Sequence, residues 1–371
     1  MKSNKITILY NPKKITLLYS LYPFWKSRNA EGLQFTTNLK WVKEQDKNEV
    51  LLIVGWFWGQ DKDGSQINLI KSLKAKYRRL AYFDDSDGSE SSFLDLLPHV
   101  DLFYKKQLFK DKSLYMKDFY GRRIFSDYYH QNFGIEENPS PPPLPKPENE
   151  SDLDKMNLAW NIAIGQYPSS KARERLAGKL HAWIGQAGMS LLLDHSHIKN
   201  TPPRPSLAKC QARFDATCYR DTVGYQREHF QKLIEKHPSF ITGRIPLRQY
   251  NKELSQVQAI LSPYGWGEIC FRDIEAILNG SVLIKPDMGH LDTWPNLYKA
   301  NQTYESVSWD GTDLLEKTEM LLSNPKRMEL LSKNAFQELQ YAYAGLDMRV
   351  KKVLDEIRGV SSKPKKVATM K

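Results

Sequence analysis

The chain has 371 residues, 40% of them hydrophobic, 12% aromatic and 26% charged. It exceeds a usual single core, so two domains are expected, and the composition is that of an ordinary soluble protein able to bury substantial cores. A net charge of +11 favours an anionic partner: a nucleotide sugar, a membrane face or a nucleic acid. Three cysteines, Cys210, Cys218 and Cys270, are an odd number without metal-type spacing. That argues against a disulfide framework and a zinc site and for a reducing compartment. No secretory core with a cleavage site and no apolar stretch of transmembrane length is visible, so a cytoplasmic protein is expected, with peripheral membrane contact left open. Part of the charge lies in a tail, Lys363, Lys365, Lys366 and Lys371, expected to be disordered.

In chain order, Ile6 to Tyr10 and Ile15 to Tyr22 are β-branched and aromatic and predict two strands, and residues 31–45 predict a helix. Glu49 to Trp56 (EVLLIVGW) is continuously apolar, as a buried strand is. A helix over Ser65 to Lys76 and a strand over Arg79 to Phe83 follow, the strand ending in Asp84-Asp85-Ser86-Asp87-Gly88. Leu94 to Leu97 is helical and Val100 to Tyr104 a strand. Strands alternating with helices at this spacing predict a parallel, Rossmann-like sheet. Residues 113–134 mix aromatic and basic side chains, and Glu136 to Ser151 is a proline-rich exposed linker. Leu158 to Ile164 predicts one more strand and residues 171–193 a helix. Thr201-Pro202-Pro203-Arg204-Pro205 marks a hinge, and the domains are set at 1–170 and 171–345, with a final helix and basic tail over 346–371.

A second alternation begins near residue 207. It runs through a helix Thr222 to Lys236, a strand Ile241 to Ile245, a helix Leu247 to Leu254 and a strand Val257 to Leu261. Ser262-Pro263 breaks that strand into the turn Tyr264-Gly265-Trp266-Gly267, a helix runs to Leu278, Asn279-Gly280 stops it, and Val282 to Ile284 is the next strand. This is a βαβ unit, whose turn and helix start belong at the carboxyl edge of a parallel sheet. A turn and helix over Gly289 to Tyr298, a strand Tyr304 to Trp309 and helices over 313–323, 326–344 and 346–358 complete the chain. Backbone N–H groups of the glycine turn and the helix start suit an anion. Arg272 can add a forked phosphate contact, with a salt bridge to Glu268 as its rival, and Glu275 can accept two hydrogen bonds from a ribose diol.

Ser262-Pro263, Gly265-Trp266-Gly267 and Glu275-Ala276-x-x-x-Gly280 before an apolar strand resemble the donor-binding segment of GT-B glycosyltransferases, family 1 and exostosin-like enzymes above all. The resemblance implies two Rossmann-like domains facing a cleft and a final helix returning to the first domain. It implies transfer of a hexose or pentose from a UDP- or GDP-sugar to a hydroxyl of a glycan or glycoconjugate, with no cofactor and no nucleic acid involved. Closure of the cleft would exclude water. In the family pattern an acidic residue stands eight positions before the second glutamate; here that position is Gly267, and Glu268 is one residue off. Glu275 carries over as the ribose-binding residue and Glu268 as the group near the sugar.

The resemblance assigns Arg220 to the donor diphosphate, with Arg227 two helical turns on, beside Tyr264, Gly265, Gly267 and Arg272. His290 is placed to touch sugar or phosphate. Asp85 is a candidate general base. As Asp85-x-Asp87 the same segment is the metal pair of a GT-A glycosyltransferase in an alternative reading, or a simple acidic turn in a third. The aromatics of residues 113–134 suit either an acceptor surface stacking on sugar rings or a packed connection with snorkelling basic residues. His195 and His197 lack metal-type partners and are expected in a loop. A non-catalytic polyanion-binding protein is the remaining alternative, on charge alone.

Overall fold

The computed structural model describes residues 5–11, 17–55, 65–165, 198, 201–217 and 219–360. The expected helix over 171–193, His195, His197, Cys218 and the basic tail lie outside these residues.

The first lobe contains strands β1 (Ile6–Tyr10), β2 (Leu33–Thr36), β3 (Val50–Val54), β4 (Arg79–Asp84), β5 (Leu102–Lys105), β6 (Gln107–Phe109) and β7 (Met156–Leu158). Its helices are α1 (Leu17–Lys26), α2 (Leu39–Glu44), α3 (Ser65–Lys76) and α4 (Ile124–Phe133). The second lobe contains β8 (Leu207–Gln211), β9 (Phe240–Ile241), β10 (Val257–Leu261), β11 (Val282–Pro286), β12 (Leu291–Thr293) and β13 (Glu305–Val307). Its helices are α5 (Asp221–Ile234), α6 (Leu247–Leu254), α7 (Phe271–Leu278), α8 (Leu314–Leu322) and α9 (Pro325–Ala344), and α10 (Leu346–Arg358) follows.

The first sheet runs β2-β1-β3-β4-β5-β7 and the second β13-β11-β10-β8-β9, with every pairing parallel. In each lobe the chain therefore starts in the sheet, steps to one side, then crosses back and proceeds the other way. That reversal, beside β1 in one lobe and β8 in the other, opens a crevice at the carboxyl ends of the strands. The continuous apolar run of β3 is explained by burial on both faces. Leu51 and Ile53 enter one apolar cluster, and Leu52 and Val54 the other.

The last helix returns to the first lobe. Val350, Val353, Leu354 and Ile357 of α10 are buried in the same cluster as Ile6, Ile8 and Leu52. Arg79 reaches the exposed carbonyls at the helix end, donating from Nε to Ile357 O at 2.8 Å and from Nη2 to Glu356 O at 2.9 Å. Two parallel α/β lobes with a returning helix are the GT-B arrangement.

Several local expectations are corrected. Leu17 to Tyr22 is helix rather than strand, because α1 buries Leu21, Tyr22 and Phe24 against the sheet, and that packing overrides β propensity. Residues 31–45 split into β2 and α2, with the Asn38 side chain capping the Trp41 amide at 3.0 Å. The expected strand Leu158 to Ile164 is instead β7, just before it, and Ile241 to Ile245 shrinks to β9. The expected helix near Gly289 to Tyr298 is absent; β12 lies there, antiparallel to β6 of the other lobe. Tyr115, Phe125 and Tyr129 are buried in a cluster that also holds Tyr264, Ile274 and Leu291 of the second lobe. The aromatic segment is thus a packed seam between lobes, and the acceptor-surface reading falls for these three residues.

If α10 braces the first lobe, Leu354→Ala should cost about 2–5 kcal/mol in denaturant unfolding. Met348→Ala, on the 75% exposed face of the same helix, should stay within about 0.5 kcal/mol of the parent. Equal losses would show that the packing face is misassigned.

Candidate functional site

A cleft of about 350 Å³ lies between the carboxyl ends of the two sheets. Tyr19, Asp87, Lys106 and Gln107 line it from the first lobe; Tyr219, Arg227, the turn Gly265 to Gly267, Arg272 and Glu275 line it from the second. Each follows the carboxyl end of a strand, so the parallel topology itself gathers them.

The second wall is held by one buried carboxylate. Asp273, in the first turn of α7, is fully buried and accepts hydrogen bonds from Ser262 Oγ at 2.5 Å, Cys270 N at 3.0 Å and Tyr298 OH at 2.8 Å. Lys285 of β11, also fully buried, stands 3.2 Å away. The end of β10, the cap of α7 and the middle of β11 are therefore tied at one point, and a buried charge with this many partners is well satisfied. One α7 face buries Ile274 and Ile277; Arg272 and Glu275 stay half-buried toward the cleft.

Glu275 lines the cleft and is oriented by Tyr250, whose hydroxyl donates to Oε2 at 2.7 Å. A carboxylate keeps further lone pairs for a vicinal diol. Arg227, on α5, is 4% exposed yet lines the cleft. Its Nε donates to Tyr264 O at 2.6 Å and its Nη1 to Asp215 O at 2.8 Å, and its plane stands 4.4 Å over the Tyr219 ring. A guanidinium fixed in this way loses little freedom on meeting an anion. Gly265 lets the backbone come close: a Cβ there would stand 3.3 Å from Arg227 Nη2. Arg272 does not pair with Glu268. Its Nη2 donates to Arg213 O at 3.2 Å, and its guanidinium lies 5.8 Å from the Phe214 ring.

Other sequence-derived assignments are corrected. The turn is not an open cradle of amides, because Gly265 N–H donates to Gly267 O at 2.9 Å. Tyr264 is 1% exposed, with its amide on Gln226 Oε1 at 2.8 Å and its hydroxyl on Asp287 O; it is a core residue. Arg220 is the N-cap residue of α5 and is not among the cleft-lining residues; its guanidinium lies 5.7 Å from the ring of cleft-lining Trp266, and its Nη2 is spent on Gly121 O of the first lobe at 2.6 Å. Asp85 is buried, accepting from Ser20 Oγ, so it does not face a substrate. The Asp85/Asp87 metal pair is replaced by an ion cluster. Lys106 Nζ lies 3.5 Å from each carboxylate and already supplies the cation. Asp87, 59% exposed, is the carboxylate of this segment that reaches the cleft.

Glu268 is fully buried and points into the first lobe, not at a sugar. Its Oε2 accepts the Ser89 amide at 3.0 Å and its Oε1 the Ser89 hydroxyl at 2.5 Å. His290 Nε2 stands 3.9 Å from Oε1, beyond hydrogen-bond reach, with the His290 ring packed 5.2 Å from Trp309. His290 is therefore near enough to Glu268 to act on its charge through space, and it is not among the cleft-lining residues. Burial opposes the Glu268 charge, but His290, the Ser89 hydroxyl and Arg123 outweigh it and bring the carboxyl down to about 2. Burial and the neighbouring Glu268 charge push Glu90 the other way, above the usual carboxylate range. Next to this pin, Gly267 meets the first lobe so closely that a Cβ would sit 1.8 Å from Asp87 O. Lys106, Gln107 and Ser89 were missed by sequence reasoning; the strand ends at Tyr104, for the first two, and at Phe83, for Ser89, were the available signals, since residues just past them must border the crevice.

A carboxyl near 2 in the fold, against about 4.3 unfolded, contributes stability above the unfolded value that is lost as pH falls toward 2. Glu268→Gln should lower stability by about 2 kcal/mol above pH ~5, and the gap in melting temperature from the parent should narrow below pH ~4. A gap that persists unchanged to about pH 2 would refute the charge account.

No protein-family model and no curated protein sequence matches the chain. Among solved structures, sucrose-phosphate synthase from Thermosynechococcus elongatus has 9% identity and a TM-score of 0.47, with 96% of this chain and 100% of that chain covered. A glycosyltransferase from Rickettsia africae has 9% identity and a TM-score of 0.45, covering 96% and 99%. Anabaena HepE in complex with UDP has 10% identity and a TM-score of 0.44, covering 95% and 100%. The chain is similar to these in outline alone: with such identities and TM-scores, the likenesses assign no residue and no activity.

Proposed function

We propose that this protein transfers a sugar, hexose or pentose, from a nucleotide-sugar donor to a hydroxyl of a glycan or glycoconjugate. The observation that carries the reading is the convergence of Arg227, Arg272 and Glu275 on one cleft at the carboxyl ends of two parallel sheets. Two guanidiniums suit a diphosphate, and a carboxylate one helical turn from Arg272 suits a ribose diol. In this reading the arginines stabilise the charge that develops on the leaving diphosphate as the glycosidic bond breaks. These cations make a metal ion unnecessary for that role. Arg227, rather than Arg220, is the α5 arginine assigned to the donor. Among the described residues no helix is long and apolar enough to cross a membrane; the reading places the enzyme in the cytoplasm, with its acceptor free or at a membrane surface.

A thermal-shift panel of UDP-, GDP-, CMP- and dTDP-sugars tests this. One donor at about 100 times its Kd should stabilise the protein by roughly 2.7 kcal/mol, and Glu275→Ala and Arg227→Met should each lose most of that shift. No shift from any donor, together with steeply salt-dependent binding to heparin, would favour the polyanion-binding alternative.

A further inference from the structure

We propose that Lys106 is the first lobe's contact to the donor diphosphate, made by exchanging the Asp87 carboxylate for phosphate oxygens. The inference rests on the nucleotide-sugar reading and extends its site to the opposite wall.

Lys105 and Lys106 are neighbours at the end of β5 and differ sharply. Lys105 is fully engaged: its Nζ donates to Asp84 Oδ2 at 2.7 Å and to Glu90 O at 3.0 Å, within the buried core. Lys106 lines the cleft, and its two acidic neighbours both stand at 3.5 Å. A charge-assisted hydrogen bond to a carboxylate is typically ~2.8 Å long, so three ammonium donors are under-used there. The two acidic neighbours are unequal. The Asp85 side chain is 4% exposed and anchored by Ser20, so it stays. The Asp87 side chain is 59% exposed, and an ion pair so open to water is weak. Its backbone is held independently, through Gln107 Nε2 on Asp87 O at 2.6 Å, so the carboxylate can swing outward without moving the loop.

Charge gives the exchange its direction. One ammonium between two carboxylates leaves a net negative wall facing the arginines, which would repel a diphosphate. Turning Asp87 into water weakens that repulsion by screening it and gives the ammonium a doubly charged partner, which Arg227 and Arg272 also attract. An exposed carboxylate is then released beside the bound donor.

The test measures binding of UDP and UMP, and of GDP and GMP, by calorimetry to the parent, Lys106→Met, Asp87→Asn and Arg227→Met. Lys106→Met should weaken the diphosphate about tenfold and the monophosphate less than about threefold. Asp87→Asn should bind the diphosphate as tightly as the parent or more tightly. The inference is overturned if Lys106→Met binds within about twofold of the parent, or if Asp87→Asn weakens the diphosphate by about tenfold; either makes the three charges a structural cluster. Should Lys106→Met not fold, the sign of the Asp87→Asn effect decides alone. A parent that binds no nucleoside diphosphate fails the wider reading, whereas binding lost in Arg227→Met and kept in Lys106→Met fails this inference only.

Discussion

The bond between Glu268 and Ser89 is the constraint on which the cleft depends. It presses the glycine turn of one lobe onto the Asp87-Gly88 backbone of the other, with Gly267 supplying the missing side chain that contact requires. A carboxylate expected to face a sugar is spent instead on holding the two walls in register. Burial makes this workable only because Ser89 fills both oxygens and His290 and Arg123 lie close by; without them the desolvated charge would cost more than the contact returns.

The same seam is reinforced by means of a different kind. β6 and β12 pair across the lobes, and one apolar cluster runs from the first sheet through Tyr115, Phe125 and Tyr129 into Tyr264, Ile274 and Leu291. An interface this apolar, with backbone ladder bonds through it, resists hinge motion on that side. Across the cleft, Tyr19 and Phe271 of opposite lobes stand 5.1 Å apart.

Within the second lobe, Asp273 and Lys285 turn the βαβ unit into a rigid support. Because α7 cannot rotate without breaking the contacts of Asp273 to Ser262, Tyr298 and Lys285, its cleft-facing Arg272 and Glu275 have a fixed presentation. In the proposed reading, charge pre-positioned on this wall meets a diphosphate without the helix having to move.

Local sequence determined the alternation of strands and helices, the βαβ unit from Val257 to Ile284 and the placing of Glu275 beside a cleft. These depend on periodicity, turn residues and the carboxyl-edge rule, all of which act over a few residues. It misread Leu17 to Tyr22, where aromatic content suggested a strand and sheet packing imposed a helix. It gave Asp273 no role, since nothing within α7 announces that Lys285, twelve positions on, will meet it. Only the tertiary structure decided which charged groups face the cleft and which are consumed in holding it: Arg227 rather than Arg220, Asp87 and Lys106 rather than Asp85, Glu275 rather than Glu268. The reason is physical. A side chain's task is set by partners such as Ser89, 179 positions from Glu268, and contacts of that range exist only once both lobes are folded against each other.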